Sequence, residues 1–391
     1  MKARSYDIVL FGATGFTGQL VAEYLARHGG ERLRWALAGR NPDKLRRVRE
    51  QLQAINADCR DLQLIAADVD DPAALKKLAA SARVVISTVG PYIVHGEPLL
   101  AACAETGTDY LDLTGEPEFV DLMWLRHHER ARESGARIIN SCGFDSVPHD
   151  LGCWYTVQQL PEDAALRVQG FVRVGGSFSG GTLHSAVLAM SRLRQYARTR
   201  RERRRREAQP LDRRIGSLRH GLRYLRELDS WALPMPTIDP LVVRRSAAAL
   251  ERYGPNFHYG HYLQLKRLSQ VAQIVGGAGA LMLGAQFRAT RERLLHLRSP
   301  GQGPSPERRA KSWFKISFIG EGGGQRVRCE VAGGDPGYGE TAKMLAESAL
   351  CLAFDKLPRT AGFVTPAQAM GNALIERLQR QGIRFRLIER S

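Results

Sequence analysis

Three glycines at Gly12-x-x-Gly15-x-x-Gly18 follow directly on the apolar run Asp7-Ile-Val-Leu-Phe11. Glycine at this spacing suits a diphosphate. One residue allows a tight turn from strand to helix, one lets the backbone approach the phosphates, and one lets the helix pack closely on the strand. A helix that starts here aims its free N–H groups and the positive end of its dipole at an anion. Thr14 and Thr17 add hydroxyl donors, and Phe16 completes the turn. A glycine triplet alone specifies little, but placed between strand and helix it predicts a dinucleotide site.

The end of the next strand selects the nucleotide. An acid there receives a ribose 2′-hydroxyl, whereas an arginine receives a 2′-phosphate. The chain reads Ala36-Leu-Ala-Gly-Arg40-Asn41, with no acid, so NADP(H) is expected, with Lys44 as a second cation. Asp68, after the third strand, is placed to meet the adenine. Thr88-Val89-Gly90-Pro91-Tyr92 ends the fourth strand, on the edge where such sheets bind ligands.

Candidates for proton transfer follow the sixth strand. Asp145, Ser146 and His149 cluster in Gly143-Phe-Asp-Ser-Val-Pro-His-Asp150, and histidine titrates near neutrality. The same Asp and Ser, before Pro148, also read as ordinary helix caps. Tyr92 and His95 are further candidates, and Glu116 is a loop-end acid expected to be solvated. One Tyr-x-x-x-Lys pair exists, Tyr262 and Lys266, but it lies far beyond the expected sheet, which disfavours classical short-chain chemistry. No cysteine pair has metal-site spacing, and no metal is expected.

These residues need a scaffold. Strand-like runs at Asp7–Phe11, Arg34–Ala38, Leu62–Ala66, Val84–Thr88, Tyr110–Leu113 and Arg137–Ser141 alternate with helical stretches. The pattern is that of an α/β fold, a Rossmann-type doubly wound parallel sheet. The first domain is expected over residues 1–150. Residues 151–391 read as a mixed α+β substrate or oligomerisation domain, its late helices packing back on the first. Within it, Gly175–Gly181 reads as a turn, Thr182–Tyr196 as a helix, Pro210–Pro255 as irregular, and Trp313–Gly320 with Gln325–Val331 as a hairpin.

Charge is unevenly spread. The net charge is +17, and eleven arginines fall between Arg192 and Arg214 against Glu202, Glu207 and Asp212. With little interleaved aromatic residue, this block gives no support for specific nucleic-acid binding and reads as a solvated insertion. From Leu268 to Phe287 there are twenty uncharged residues between Arg267 and Arg288. Glycines and glutamines dilute the run, so a buried or interfacial helix is favoured over a membrane span, with peripheral membrane contact left open. Met1-Lys-Ala-Arg-Ser-Tyr leads straight into a strand, and six scattered cysteines fit a reducing, cytoplasmic setting. The oligomeric state is open, with a homodimer one option.

Taken together, Gly12-Ala-Thr-Gly-Phe-Thr-Gly18, Leu37-Ala-Gly-Arg40, Ser87-Thr-Val-Gly-Pro-Tyr92, Tyr110-Leu-Asp-Leu-Thr-Gly-Glu116, Cys142-Gly-Phe-Asp-Ser-Val-Pro-His-Asp-Leu-Gly152 and Asp335-Pro-Gly-Tyr-Gly-Glu-Thr-Ala-Lys-Met344 resemble saccharopine-dehydrogenase-like oxidoreductases. The likeness is greatest to the branch with trans-acting enoyl reductases; residues 190–310 contribute little to it. The resemblance implies an NADPH-linked reductase of an enoyl or carbonyl-conjugated, acyl or lipid-like small molecule. A saccharopine-type amino-acid dehydrogenase and a non-catalytic NADP(H)-binding sensor or scaffold remain as alternatives.

Overall fold

The structure, a computed structural model, describes residues 4–175, 190–208, 210–287, 290, 292 and 305–391. The first elements are β1 (Tyr6–Phe11), α1 (Phe16–His28), β2 (Trp35–Gly39), α2 (Pro42–Gln53), β3 (Gln63–Ala66), α3 (Pro72–Ser81), β4 (Ala82–Ser87), α4 (Tyr92–His95), α5 (Glu97–Thr106), β5 (Asp109–Asp112), α6 (Pro117–Ser134) and β6 (Arg137–Ile139). Next come α7 (Val147–Val157), β7 (Leu166–Gly175), α8 (Leu193–Arg206), β8 (Arg214–Ser217), β9 (Arg223–Leu225), β10 (Ser230–Pro234), α9 (Asp239–Ala249), β11 (Asn256–Leu265) and α10 (Leu268–Gln286). The last part holds β12 (Trp313–Gly322), β13 (Gln325–Gly333), α11 (Gly339–Phe354), β14 (Gly362–Phe363) and β15 (Arg384–Arg390). The predicted turn at Gly175–Gly181 beyond its first residue, and the predicted helix from Thr182 to residue 189, lie outside the described residues.

The chain forms two units. One comprises residues up to Phe144 together with Gly337–Arg377, and the other holds Asp145 to Pro336 and Leu378–Ser391. The boundary expected at 150/151 therefore moves to 144/145, and the second block is not continuous. The reason is where apolar faces go. α7 packs on β7, β12 and β13 of the second unit, whereas α11 covers α1, β1, β4 and β5 of the first.

In the first unit seven strands lie in the order β14-β6-β5-β4-β1-β2-β3, with every pairing parallel. Ile8, Val9, Leu10, Leu37, Val84, Val85, Ile86 and Leu111 are fully buried. Near-continuous apolar runs are what a parallel sheet covered on both faces demands. Helix starts follow local chemistry. Asn41 accepts from the Lys44 N–H with Pro42 in the first turn of α2, and Asp71 does the same for Ala74 in α3. That Asp71-Pro72 signal marks α3, which the sequence reading passed over. β14 has two residues, too few for any periodicity to show.

The second unit is built on a mixed sheet, β15-β13-β12-β7-β11-β10-β9, with β8 beside β11. β7 is antiparallel to β12 and parallel to β11. The β12–β13 hairpin turns through Gly323 and Gly324 at φ 57° and 77°, values that glycine adopts without strain. The region expected to be irregular, Pro210–Pro255, instead holds β8, β9, β10 and α9. Its prolines sit at element ends: Pro234 ends β10, Pro240 lies in the first turn of α9, and Pro255 precedes β11. Proline tolerates those places, so its presence did not argue against regular structure.

Candidate active site

The glycine turn has the close contacts its spacing implies. A Cβ on Gly18 would stand 2.2 Å from the Gly12 carbonyl oxygen, and one on Gly12 would stand 2.7 Å from Thr88 Oγ1. Gly12 also has φ 88°. Thr88 Oγ1 lies 3.1 Å from the Gly12 carbonyl oxygen and 3.2 Å from that of Phe11, pinning β4 to the turn. Gly15 is the N-cap of α1 and brings no capping side chain. The N-terminus of α1 thus turns the positive end of its helix dipole toward the place an anion would take. Phe16 meets the Tyr338 ring edge-on at 4.8 Å, and Thr14 and Thr17 are partly exposed. These features fit the diphosphate of a dinucleotide.

Arg40 follows β2 with its side chain exposed. Asp68 is partly exposed, and its carboxylate accepts from the Asp70 N–H at 3.2 Å. In the loop after β4, Val89 and Pro91 are partly buried, Gly90 is exposed, and the Gly90–Pro91 bond is cis. Glu116, expected to be solvated, is buried. It accepts from the N–H groups of Tyr92 and Ile93 at 3.1 and 2.9 Å, capping α4. The Tyr92 hydroxyl donates to the Ser87 carbonyl at 3.0 Å and accepts from the Leu113 N–H at 3.2 Å. Burial pushes its pKa well up, with Asp112 adding to the rise. This hydroxyl is committed to holding two strand ends together.

Asp145, Ser146 and His149 open the second unit. The capping reading fails: Ser146 is the N-cap residue of α7, but its side chain makes no cap hydrogen bond. It is fully buried at φ 109°, a conformation that stores strain in a residue with a Cβ. α7, α9 and β11 add two partners that sequence spacing could not reveal, Asp239 and His261. Asp239 Oδ1 lies 3.5 Å from His149 Nε2, and Asp239 Oδ2 lies 3.5 Å from His261 Nε2. His261 Nδ1 pairs with the Tyr259 hydroxyl at 3.1 Å, and Thr237 donates to Asp239. All three members of the His–Asp–His group are buried, and their ligand-type atoms lie within 4.8 Å of one another. The expectation of no metal-ligand cluster rested on cysteine spacing alone; this donor set is of the kind that binds cations. Here each imidazole presents its Nε2 to one oxygen of the carboxylate.

The electrostatics sort these groups. Burial pushes His261 down to about 3, with the neighbouring His149 adding to the fall. Burial also lowers His149. Burial would raise Asp239, but the two imidazoles and Thr237 outweigh it and hold the carboxyl below its usual range. Asp239 is therefore an anion. Asp145 keeps solvent contact, yet the surrounding protein and the Asp239 charge push its pKa up to about 7. Given that solvent contact, it is the upward direction that matters: Asp145 is a carboxyl that holds its proton toward neutral pH. Tyr262 is buried against Phe171, and Lys266 is exposed, so the one Tyr-x-x-x-Lys spacing does not form a pair.

Residues 8–139 match the family described as the saccharopine dehydrogenase NADP binding domain. A Mycobacterium tuberculosis protein, provisionally named a trans-acting enoyl reductase, is 39% identical over 409 residues, 97% of each chain. A trans-acting enoyl reductase of Mycobacterium bovis is 37% identical over 410 residues, again 97% of each. Among solved structures, apo saccharopine dehydrogenase (L-Glu forming) from Saccharomyces cerevisiae has a TM-score of 0.58 at 13% identity, over 98% of this chain and 100% of that one. At that identity the likeness concerns the fold. With the glycine turn, the parallel sheet and similarity over nearly its full length, the chain belongs to the saccharopine dehydrogenase family of NADP-binding oxidoreductases.

Proposed function

We propose that the protein is an NADPH-dependent reductase of an enoyl group on an acyl or lipid-like substrate, with Asp145 supplying the proton. The enoyl assignment is supported by the names of the relatives that match 97% of the chain. The proton-donor assignment is supported by the exposure of Asp145, a carboxyl whose pKa is raised by the surrounding protein first and by the Asp239 charge second.

The nicotinamide cofactor, when bound, supplies a hydride for the β-carbon of the enoyl group. The remaining work falls to the chain. The turn from Gly12 to Gly18 holds the diphosphate against the first N–H groups of α1. Arg40, exposed where β2 ends, pairs with a 2′-phosphate and selects NADPH. Asp145 donates from its carboxyl oxygen to the α-carbon and becomes a carboxylate, which is reprotonated from water. The surrounding protein and, in smaller part, the Asp239 charge raise the pKa of that carboxyl. His149 and His261 flank Asp239, each with Nε2 3.5 Å from one of its oxygens.

NADPH oxidation by the purified protein against enoyl thioesters, imines and ketones tests the reading. Turnover is expected with the enoyl thioesters. Turnover confined to imines of amino acids would identify an amino-acid dehydrogenase instead. Tight NADPH binding with no turnover on any class would identify a sensor.

A further inference from the structure

α10 is a 19-residue helix with no charged side chain and only two buried residues, Val271 and Ala285. Ala272–Ala280 are exposed one after another, on every face of the helix. Leu268, Ile274, Val275, Met282, Leu283 and Phe287 all expose large apolar side chains, Leu283 by 69% and Phe287 by 66%. A Cβ on Gly276, Gly277 or Gly279 would meet no atom within 4 Å. In water this is an unfavourable combination. Glycine weakens a helix, and among the described residues only slight contact with β10 and β11 packs on this one to compensate. A helix of such composition is ordinarily a buried core element or a leader at the start of a chain; α10 is 11% buried and lies in the interior of the sequence. Its surroundings must be apolar and must not be water.

Charge indicates what those surroundings are. From residue 252 to residue 291 the sequence holds no Asp or Glu, while Lys266, Arg267, Arg288 and Arg291 flank the apolar run. The C-terminal end of α10 is tied to the arginine block, since Gln286 Nε2 donates to the Met190 carbonyl at 2.9 Å, three residues before α8. α8 holds eight arginines against one acid, Glu202, and Arg194, Arg198, Arg201, Arg204, Arg205 and Arg206 are exposed. Arg200 and Arg204 stand near enough to Arg244 on α9 to add to the effect of burial, which lowers it to about 10. α8 thus stays with its own unit. An apolar helix framed by cations complements a surface whose interior is hydrocarbon and whose face is anionic.

We propose that α10 docks the protein on anionic lipid bilayers, lying in the interface with its apolar side chains among the acyl chains while the α8 arginines meet the headgroups. The helix, about 28 Å long, approaches the thickness of a hydrocarbon core. Its beginning follows β11 and its end binds Met190, so both ends belong to one folded unit on the water side. It therefore lies on the membrane and does not cross it.

Flotation of the full chain with vesicles of phosphatidylcholine and phosphatidylglycerol, or of phosphatidylcholine alone, tests this. The protein should float with the anionic vesicles, and high salt should weaken that binding. Val275→Asp with Leu283→Asp should abolish flotation, while thermal melting and NADPH binding stay unchanged. Arg201→Glu, Arg204→Glu and Arg205→Glu together should weaken binding to anionic vesicles by about tenfold or more. No flotation of the wild type, or equal flotation of the aspartate variant, would overturn the proposal. So would a stable dimer in light scattering that this variant dissolves, since a second copy would then cover the helix. Resistance to carbonate extraction from membranes would overturn the in-plane placement.

Discussion

Asp239 lies between His149 and His261, with each imidazole Nε2 3.5 Å from one of its oxygens, and its charge adds to the burial that raises the pKa of Asp145. Three elements of the second unit, α7, α9 and β11, thus supply the group whose charge adds to the rise in the pKa of this solvent-accessible carboxyl.

The pH dependence follows with a definite sign. With Asp145 as the proposed acid, the active form is the protonated one, and kcat should fall as pH rises through about 7. Asp145→Asn cannot donate. Its kcat should drop by about 10²–10⁴-fold, with the limb near pH 7 gone. A pH profile of kcat for both proteins checks this.

Asp239→Asn removes the anion without removing the donor. The Asp145 pKa should fall by part of its rise, since burial remains, and the limb of the kcat profile should move to lower pH. A purely structural role for Asp239 would lower activity at every pH and leave the limb in place.

Tyr92→Phe separates architecture from chemistry. The lost hydroxyl joins the Ser87 carbonyl to the Leu113 N–H in a buried site, so stability should fall by about 1–3 kcal/mol. kcat should remain within a few-fold of wild type. Denaturant unfolding beside steady-state kinetics measures both.

The cofactor site gives two further expectations. Gly18→Ala places a methyl group 2.2 Å from the Gly12 carbonyl oxygen, and NADPH binding should be lost. Arg40→Ala should weaken NADPH by about 1.5–3 kcal/mol, the value of a charge-assisted hydrogen bond, and leave NADH unaffected. Fluorescence titration with both cofactors reads each result, and equal losses would remove the 2′-phosphate assignment.

The first unit was more legible than the second, where the β12–β13 hairpin was read and the His–Asp–His group was not, and the difference has a physical basis. β1, β2 and β4 are almost wholly buried, so their sequences read as apolar runs, and Gly12, Gly15 and Gly18 are close in the chain as well as in space. The His–Asp–His group joins positions 149, 239 and 261, which only the pairing of β7 with β11 and the packing of α7 and α9 bring together. β11 itself, Asn-Phe-His-Tyr-Gly-His-Tyr-Leu-Gln-Leu, buries histidine and glycine where a sequence pattern expects aliphatic residues. Ser146 looked like a cap by residue type; its φ of 109° turns the side chain away from that role.

The central claim is that this site reduces an enoyl group with a proton from Asp145. The most direct test is NADPH oxidation with an enoyl thioester in deuterated water, followed by mass analysis of the product. The account predicts a saturated thioester with one deuterium at the α-carbon, and a large loss of rate in Asp145→Asn. An unreduced thioester, or an Asp145→Asn protein as fast as wild type, would contradict it.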